Sequence, residues 1–299
     1  MNKLDDTQTL ATVRDLVRWG ASRFREAGLQ FGHGTENALD DAYYIVLQTL
    51  HLPFDLPTLY LETNVTPSER AAVVKLLKAR ISTRKPAAYL LGTAQFAGLD
   101  FDVDERVLVP RSPIGELIAR EFQPWLQQAP ERILDLCAGS GCIGIASALA
   151  FPEAQVDLAE LSTGALAVCR RNIKRHGVAG RVTAYKSDVF SGLGDACYDL
   201  IVANPPYVPT AEWKGLQPEY MHEPKMALEA GADGMDVVAR ILDEAAARLN
   251  PGGWLICEVG GYVDEFEARW PRLPVTWIDF ERGGDGVFVI ARDTLPGAH

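Results

Sequence analysis

The sequence predicts an α/β protein in which a doubly wound, seven-stranded mixed sheet follows an amino-terminal helical region. Apolar residues recur at helical spacing through the first part of the chain, and after Pro113 apolar runs of strand length alternate with helical periods. The last two runs are separated only by Gly283-Gly284-Asp285-Gly286. This turn is too short for a parallel crossover, so these two strands are expected to form an antiparallel hairpin.

The bulk composition is that of an ordinary globular protein. At 299 residues and 47% hydrophobic composition, the chain can bury one large core and still supply a second, smaller unit. The amino terminus is polar, and no stretch reaches the roughly 18 continuous apolar residues of a membrane helix. We therefore expect a cytoplasmic protein without a membrane partner.

Charge and cysteine spacing bear on partners and metals. A net charge of −11 argues against nucleic acid as a direct substrate and suits a basic protein partner, although acidity that serves only solubility explains it equally well. Neither the cysteines nor the histidines show metal-ligand spacing, so we expect no metal site. The cysteines are expected to be reduced core residues: Cys137, Cys142, Cys169, Cys197 and Cys257.

Residues 7–85 carry three helical patterns. The third begins at Thr66, which can cap the helix, and Glu69 can complete a capping box. The first two rest on apolar residues three and four positions apart: Leu10, Val13, Leu16, Val17 and Phe24, then Ala42, Ile45, Val46 and Leu50. We assign residues 1–94 to a helical domain.

From residue 95 the pattern becomes extended. Gln95–Ala97 and Asp100–Val103 are short strand-like runs, and Arg106–Val109 is a third. We interpret 95–112 as a β-hairpin linker and 113–299 as the α/β domain.

The α/β domain is predicted element by element. Its expected strands are Arg132–Cys137, Val156–Leu161, Val182–Tyr185, Asp199–Ala203, Trp254–Val259, Val275–Phe280 and Val287–Ala291. Helices are expected around 141–151, 162–177 and 235–249, and Asn250-Pro251-Gly252-Gly253 ends the last of them.

A glycine-rich turn follows the first of these strands and opens a helix. Its glycines allow the backbone to approach a ligand closely, and the carboxylate of the preceding strand can contact a cationic group. The predicted binding segment comprises Asp135, Cys137, Ala138, Gly139, Ser140 and Gly141. Together with Gly144 the glycines also satisfy the dinucleotide-binding pattern, so a dehydrogenase is an alternative on this motif alone.

Acidic residues after the next two strands favour a ligand that contains adenosine. Glu160 can accept hydrogen bonds from ribose hydroxyls, and Asp188 can accept one from the adenine amine while Val189 packs on the ring. Taken alone, Glu160 is equally well a solvated acid at a strand end, and Asp188 a turn cap.

The fourth strand is followed by Asn204-Pro205-Pro206-Tyr207, at the edge where doubly wound sheets bind ligands. Two consecutive prolines fix the backbone and remove two amide donors, leaving carbonyl oxygens that only accept. A planar NH2 group held by the Asn204 side-chain oxygen and the Pro205 carbonyl would present its nitrogen to a methyl donor, with Tyr207 covering it. In isolation the tetrapeptide is equally well a rigid turn.

In this context the sequence resembles the class I methyltransferases with an Asn/Asp-Pro-Pro-Tyr motif, which modify adenine, guanine or glutamine nitrogens. The resemblance implies a Rossmann-like class I fold and S-adenosylmethionine as cofactor, with S-adenosylhomocysteine as product. It narrows to the protein N5-glutamine methyltransferases and covers nearly the whole chain, through Pro86–Gly92, Val109-Pro110-Arg111, the Asn-Pro-Pro-Tyr loop, His222-Glu223-Pro224 and Ala230–Gly234.

Two branches of that family share this plan. One acts on peptide-chain release factors and the other on large-subunit ribosomal protein three, and Arg111–Glu116 and Phe280–Phe288 resemble the second branch. The resemblance therefore implies methylation of a glutamine side chain in a basic ribosomal protein. Release-factor methylation, methylation of nucleic-acid amines and a non-catalytic adenosyl-binding module are the alternatives.

The resemblance also assigns roles residue by residue. It makes Cys137 to Gly141, Glu160, Asp188 and Val189 contacts of the donor, and Asn204, Pro205, Pro206 and Tyr207 contacts of the acceptor, with Asn204 also near the donor. The chain departs from the family at Glu160, where Asp is usual, and at Cys137-Ala138, where Gly or Thr is common. Glu223 is a peripheral candidate within a long segment, 208–233, that could form a lid, and a structural salt bridge explains it equally well.

Overall fold

The computed structural model describes residues 6–281 and 283–298. They form two compact units, one made of the chain up to Ala94 together with Gln217–His222, the other of Gln95–Leu216 and the chain from Glu223 onward. Residues 1–5, which include most of the polar amino terminus, lie outside the described residues, as do Arg282, within the branch motif, and His299.

The first unit is helical. It contains α1 (Val13–Glu26), α2 (Ala38–Thr49), α3 (Pro67–Thr83) and α4 (Ala87–Leu91), with short 3₁₀ helices at Asp6–Thr9, Thr58–Glu62 and Tyr220–His222. The capping box expected at the start of α3 is present, because Thr66 Oγ1 accepts from the Glu69 amide and the Glu69 carboxylate accepts from the Thr66 amide. The helices enclose one apolar core that includes Leu16, Phe24 and Leu77.

A buried ionic cluster holds the helical unit together. Arg80, which is 1% exposed, donates from Nε to Asp41 Oδ2 at 2.9 Å. Glu219 is fully buried and pairs with Arg84 Nη2 at 2.8 Å and with Arg80 Nη1 at 3.9 Å. These contacts fix the Gln217–His222 segment within the helical unit because each buried charge has an opposite partner.

The second unit contains the remaining elements. Its strands and helices are β1 (Thr93–Phe96, which begins in the first unit), β2 (Leu99–Asp102), α5 (Ile114–Ala119), β3 (Arg132–Leu136), α6 (Cys142–Ala150), β4 (Gln155–Glu160), α7 (Thr163–Arg175), β5 (Val182–Lys186), β6 (Tyr198–Ala203), α8 (Thr210–Trp213), α9 (Asp236–Arg248), β7 (Leu249–Glu258), α10 (Val263–Arg269), β8 (Thr276–Trp277) and β9 (Val287–Ala291). Short 3₁₀ helices lie at Lys225–Ala227 and Arg292–Thr294.

The seven-stranded mixed sheet has the order β5-β4-β3-β6-β7-β9-β8. The pairs among β3 to β7 are parallel, whereas β9 is antiparallel to both β7 and β8. The sequence prediction of a doubly wound sheet with an antiparallel end is therefore confirmed. The chain runs outward in both directions from β3 and β6, so the ligand-binding crevice of such a sheet lies at their carboxyl ends.

Two apolar cores cover the two faces of the sheet. Successive residues of β6 alternate between them: Leu200 and Val202 belong to one core, and Ile201 and Ala203 to the other. This is the two-residue period of a strand that is buried on both sides, which explains why the central strands are continuous apolar runs in the sequence.

Three local expectations differ from the structure. Arg106–Val109 forms no strand, since the Val107 amide donates to the Asp104 carbonyl and the Val109 amide to a side chain. The ladder of β8 includes only Thr276 and Trp277, because this strand lies at the sheet edge and pairs on one side. β7 starts at Leu249, directly after α9, and the Asn-Pro-Gly-Gly turn lies within it as an irregularity opposite β6.

Candidate active site

Two loops meet at the centre of the sheet's carboxyl edge. Leu136 at the end of β3 pairs with Ala203 at the end of β6, so the glycine-rich turn and Asn204-Pro205-Pro206-Tyr207 begin side by side. The sequence predicted these loops separately, and the parallel register brings them together.

The glycine-rich turn has a backbone that few side chains allow. Gly139 and Gly141 have φ of +54° and +81°, and Cys137 has φ of +57° although it carries a side chain. A Cβ on Gly141 would lie 2.9 Å from Cys169 Sγ, so this position is closed to larger residues. Strained backbone of this kind is maintained where the surrounding structure enforces it, often at ligand sites.

Glu160 at the end of β4 fastens the turn from the neighbouring strand. Its carboxylate accepts the Gly139 amide at 2.8 Å and the Ser162 amide at 2.6 Å. Burial raises the pKa of Glu160, and the two amide donors oppose that rise. Each carboxylate oxygen accepts one of these hydrogen bonds and keeps a second lone pair, so Glu160 can also accept from a bound hydroxyl.

Asp135 lies beneath the turn. It is 1% exposed, and its Oδ2 accepts the Gly144 amide at 2.8 Å, while Oδ1 is buried without a hydrogen-bond partner. Burial raises the pKa of Asp135 to about 7, opposed by the Gly144 amide and increased by the charge of Glu160. A buried acceptor without a donor is unfavourable, so a donor or a cation close to this atom would be stabilised.

The loop after β5 carries the third predicted contact. Asp188 is exposed, and its Oδ1 accepts from Arg240 Nη1 of α9 at 2.8 Å. Val189 is buried and has φ of +51°, an unusual conformation for a β-branched residue. Cys137 and Val189 are thus two left-handed non-glycine residues at the same edge of the sheet.

A cavity of about 310 Å³ lies at this edge, within the range of roughly 300–1,000 Å³ that is usual for small-molecule sites. The predicted site residues that line it are Cys137, Gly139, Glu160, Asp188, Val189, Asn204 and Pro206. The predicted residues that do not line it are Asp135, Ala138, Ser140, Gly141, Pro205 and Tyr207. A larger cavity of about 450 Å³ lies beside Asp199 at the opposite edge, away from both loops.

The segment Asn204-Pro205-Pro206-Tyr207, here called the acceptor loop because it is predicted to hold the methyl acceptor, has oxygen atoms that can accept hydrogen bonds. Asn204 lines the cavity, and within the described residues its carboxamide makes no hydrogen bond to another protein group. Nor does the Pro205 or Pro206 carbonyl accept a backbone amide from any residue that the structure describes. The loop therefore offers oxygen atoms that no described backbone amide occupies, and two of its residues, Asn204 and Pro206, line the cavity.

Tyr207 is anchored away from the cavity. Its hydroxyl donates to Glu258 Oε1 at 3.0 Å, and its ring lies beside that of Tyr262 with centroids 6.0 Å apart. Gly260 leaves room for this ring, since a Cβ there would lie 2.8 Å from Tyr207 Cε2. Burial raises the pKa of the Tyr207 hydroxyl, and the charge of Glu258 raises it further.

Within the segment 208–233, residues 224–229 form one wall of the cavity. Glu223 accepts two hydrogen bonds from Arg111, at 2.6 and 2.9 Å, and one from the Val109 amide at 3.1 Å. The residues that follow it line the cavity: Pro224, Met226, Ala227 and Glu229. At its base the Val208 amide donates to the Leu228 carbonyl at 2.7 Å. Glu223 therefore forms a structural salt bridge with Arg111, which was the alternative explanation of this residue in the sequence analysis.

Three charged residues in or beside the site were not predicted as site residues from the sequence. Glu258 is a buried acid at the carboxyl end of a central strand, as is Glu160, and that position was the signal that could have identified it. Arg111 was noted only as part of a family motif, and Arg240 carried no signal because it lies on the polar face of an ordinary helix.

The residues predicted to hold the methyl donor fit an adenosyl ligand that has a cationic amino-acid end. Acidic Glu160 and Asp188 suit ribose and adenine, and the buried Oδ1 of Asp135 lies behind the turn that such a ligand would approach. Among residues 6–281 and 283–298, no group of His, Cys, Asp and Glu side chains is arranged to hold a metal ion. No helix formed by the described part of the chain is both long and apolar enough to span a membrane.

Comparison with known proteins gives close relatives along the whole chain. The family model of the methyltransferase small domain matches residues 116–233. A ribosomal protein uL3 glutamine methyltransferase of Bordetella pertussis is 46% identical over 97% of this chain and 98% of its own. A protein of the same name from Neisseria gonorrhoeae is 45% identical over 97% of each chain.

Solved structures share the fold at much lower identity. The catalytic domain of hMettl16, crystallised with a 3′UTR hairpin, aligns with a TM-score of 0.52 at 16% identity, over 92% of this chain and 90% of that domain. This likeness concerns the fold alone.

Proposed function

Because the chain belongs to the family of ribosomal protein uL3 glutamine methyltransferases, we propose that it methylates the N5 side-chain amide of a glutamine in ribosomal protein uL3, with S-adenosylmethionine as donor. The chain is a methyltransferase with the class I fold expected from its sequence. S-adenosylhomocysteine is the second product. Since the substrate is a ribosomal protein, we place the reaction in the cytoplasm.

The observation that carries the proposal is the position of Asn204. Asn204 lines the same cavity as Glu160 and Asp188, so a residue predicted to hold the methyl acceptor and two predicted to hold the methyl donor border one space of about 310 Å³. A dehydrogenase would need no loop of acceptor oxygens beside its dinucleotide. The arrangement favours group transfer to a nitrogen that carries hydrogens.

S-adenosylmethionine would supply an electrophilic methyl group: the carbon–nitrogen bond would form as the carbon–sulfur bond breaks to leave a neutral thioether, and the nitrogen would release one proton to solvent. An amide nitrogen is a poor nucleophile because its lone pair is delocalised. In our proposal Asn204 Oδ1 and the Pro205 carbonyl accept its two hydrogens and orient its lone pair. These hydrogen bonds strengthen as positive charge develops on nitrogen, so they stabilise the transition state more than the ground state.

The remaining residues of the loop and turn have supporting roles in this proposal. Pro206 fixes the loop, and Tyr207, which does not line the cavity as a cover of the acceptor would, fixes the end of the loop through Glu258. The donor is held by Glu160 at the ribose and by Asp188 and Val189 at adenine, together with the turn and its preceding strand: Asp135, Cys137, Ala138, Gly139, Ser140 and Gly141.

We further propose that the chain divides its work between domains. Residues 1–94 form the helical substrate-recognition domain, 95–112 the hairpin linker and 113–299 the methyltransferase domain. A basic ribosomal protein suits an enzyme with a net charge of −11, because complementary charge speeds encounter. Neither a direct nucleic-acid substrate nor a membrane partner belongs to this proposal.

The test is transfer of labelled methyl from S-adenosylmethionine to purified uL3, a release factor and ribosomal RNA in parallel. We expect label in uL3, on a glutamine located by mass spectrometry. Asn204→Ala should lower turnover by about 100-fold or more while S-adenosylhomocysteine still binds. Asn250→Ala, which changes an asparagine bonded to Asp199 at the opposite edge of the sheet, is the matched control and should keep full turnover.

Each other result rejects a defined part of the proposal. Label in the release factor instead of uL3 would assign the chain to the other branch, and label in RNA would reject a protein amide as acceptor. Unchanged turnover of Asn204→Ala would remove the role given to the acceptor loop. Binding of S-adenosylhomocysteine without transfer to any substrate would indicate a non-catalytic module.

A further inference from the structure

A buried carboxylate lies directly behind the acceptor loop. Glu258 ends β7 and is 5% exposed. The preceding residue, Cys257, pairs with Ala203 at the end of β6, so the next residues along the two parallel strands are Glu258 and Asn204. Glu258 does not line the cavity, and it therefore acts on the reaction only through other residues.

Glu258 holds two hydroxyl groups that come from distant parts of the chain. Oε1 accepts from the Tyr207 hydroxyl at 3.0 Å, and Oε2 accepts from Ser112 Oγ at 2.5 Å. Ser112 is buried and follows Arg111, the partner of Glu223 in the cavity wall. The Glu258 carboxylate thus links Tyr207, the last residue of the acceptor loop, to Ser112. Ser112 follows Arg111, which binds the Glu223 end of the cavity wall.

The acceptor loop transmits this anchoring because it is stiff. Its first residue continues β6, whose ladder is fixed on both sides by β3 and β7. Pro205 and Pro206 lock two successive φ angles, so little freedom is left between the strand end and Tyr207. Two fixed ends and a rigid middle define where the Asn204 carboxamide and the Pro205 carbonyl point.

We propose that Glu258 is a positioning residue for methyl transfer, which fixes the acceptor loop through the Tyr207 hydroxyl. This inference rests on the proposed function of Asn204 and Pro205. Loss of the anchor lets the loop turn away from the productive orientation, and small displacements of reacting groups lower turnover steeply. Donor affinity should change little, because the donor-side lining residues Glu160 and Asp188 and the Arg111–Glu223 pair remain in place.

Polar and charged groups from several segments face Glu258. Burial raises the pKa of Glu258, whereas Ser112, Tyr207 and the guanidinium of Arg111 oppose that rise and Asp285 adds to it. A glutamine in its place keeps the shape and one acceptor oxygen, but offers an amide donor to the second hydroxyl. Glu258→Gln is therefore a conservative change that leaves no cavity and weakens the anchor, because a charged hydrogen bond is lost and one of the two contacts must reverse its direction.

The experiment is a double-mutant cycle on the full chain. Tyr207→Phe, Glu258→Gln and the double variant are assayed for kcat with the acceptor that the native protein methylates, and for Kd of S-adenosylhomocysteine by calorimetry. We expect each single change to lower kcat by at least about tenfold with Kd within about twofold of the native value. The double variant should be no slower than the slower single variant, because both changes remove one interaction.

Tyr198→Phe is the matched control. Its hydroxyl donates to Asp157 Oδ2 at 2.9 Å, also a buried tyrosine–carboxylate bond, but at the opposite end of β6. It should lose stability in urea to the same extent as Tyr207→Phe and keep its kcat. A purely structural role would make the two variants alike in both measurements.

Two results would overturn the proposal. Native kcat in Tyr207→Phe, which removes the hydroxyl outright, would show that the anchor does not act on the reaction, and losses that multiply in the double variant would show that the two residues act independently. Failure of the proposed function is a separate outcome, since it is seen as absence of uL3 methylation by the native protein before any variant is made.

Discussion

Arg111 and Glu223, 112 residues apart in the sequence, form a bidentate ion pair with N···O distances of 2.6 and 2.9 Å. The Glu223 side chain is fully buried, and it also accepts the amide of Val109 at 3.1 Å. Paired, planar hydrogen bonds of this kind fix orientation as well as distance. The pair therefore sets where the cavity wall from Pro224 to Glu229 begins.

Glu223→Ala should loosen this wall. The change removes the carboxylate that accepts two hydrogen bonds from Arg111, and we expect a loss of about 2–3 kcal/mol in unfolding free energy, below the 3–5 kcal/mol of a fully enclosed pair because Arg111 retains contact with water. Affinity for S-adenosylhomocysteine should fall about tenfold, which calorimetry measures.

Arg120→Ala is the control for that prediction. Arg120 pairs with Glu281 at 2.7 Å, but both side chains are at least half exposed, so the change should cost under about 1 kcal/mol and leave affinity unchanged. Equal effects of the two variants would contradict the role given to Glu223.

Glu160 should be required for donor binding. Glu160→Ala removes the acceptor of the Gly139 and Ser162 amides together with the proposed ribose contact. Hydrogen bonds to a charged group contribute about 1.5–3 kcal/mol each, so we expect S-adenosylhomocysteine to bind about 10- to 100-fold more weakly. Glu160→Asp, the residue usual in the family, should lie between alanine and the native protein.

An exposed acid just before the same strand tests whether charge alone explains the effect. Glu153 precedes β4 at its other end and is exposed, so Glu153→Ala removes one negative charge far from the turn. Its affinity for S-adenosylhomocysteine should equal that of the native protein. A loss of affinity in Glu153→Ala similar to that in Glu160→Ala would assign the effect to net charge.

The parallel part of the fold and the two site loops were predictable because their signals are local. Strands buried on both faces are continuous apolar runs, and β3 and β9 lie at or within one residue of their predicted bounds. In a doubly wound sheet the ligand lies at the strands' carboxyl ends, so the sequence alone indicates the segments after β3 and β6 as candidates.

Contacts between distant segments were not predictable in this way. Glu258 binds residues 51 and 146 positions away, and nothing in the apolar run around it indicates which hydroxyls it meets. Likewise, Arg106–Val109 has the alternation of a strand, but the Val109 amide is taken by Glu223 and no ladder forms. Local periodicity shows which face of a segment is apolar, and only the assembled fold determines its partner.

Asp135 should make stability depend on pH. Its pKa is about 7 in the folded protein because of burial, and 3.8 is its ordinary value, so between about pH 4 and pH 7 the folded state holds one proton that the unfolded state has lost. Stability then decreases as pH rises through this window, by up to about 1.4 kcal/mol per pH unit, and this dependence ends above the folded pKa.

Urea unfolding of Asp135→Asn at several pH values isolates this contribution from those of Glu160 and Glu258, whose pKa values burial also raises. The variant cannot ionise, so its stability relative to the native protein should increase from pH 5 to pH 8. A constant difference across that range would show that Asp135 ionises with an ordinary pKa.

Gly141→Ala should cost far more than Gly177→Ala, although both glycines have left-handed backbone, with φ of +81° and +68°. At Gly177 no atom lies within 4 Å of the added Cβ, so only the backbone penalty of about 1–2 kcal/mol applies. At Gly141 the Cβ would lie 2.9 Å from Cys169 Sγ and 3.2 Å from Leu158 Cδ1, which forces the turn to shift. Urea unfolding should therefore show the larger loss for Gly141→Ala, and calorimetry should show weaker S-adenosylhomocysteine binding for that variant alone. Equal losses in the two variants would mean that the turn tolerates a side chain and that close packing does not determine its shape.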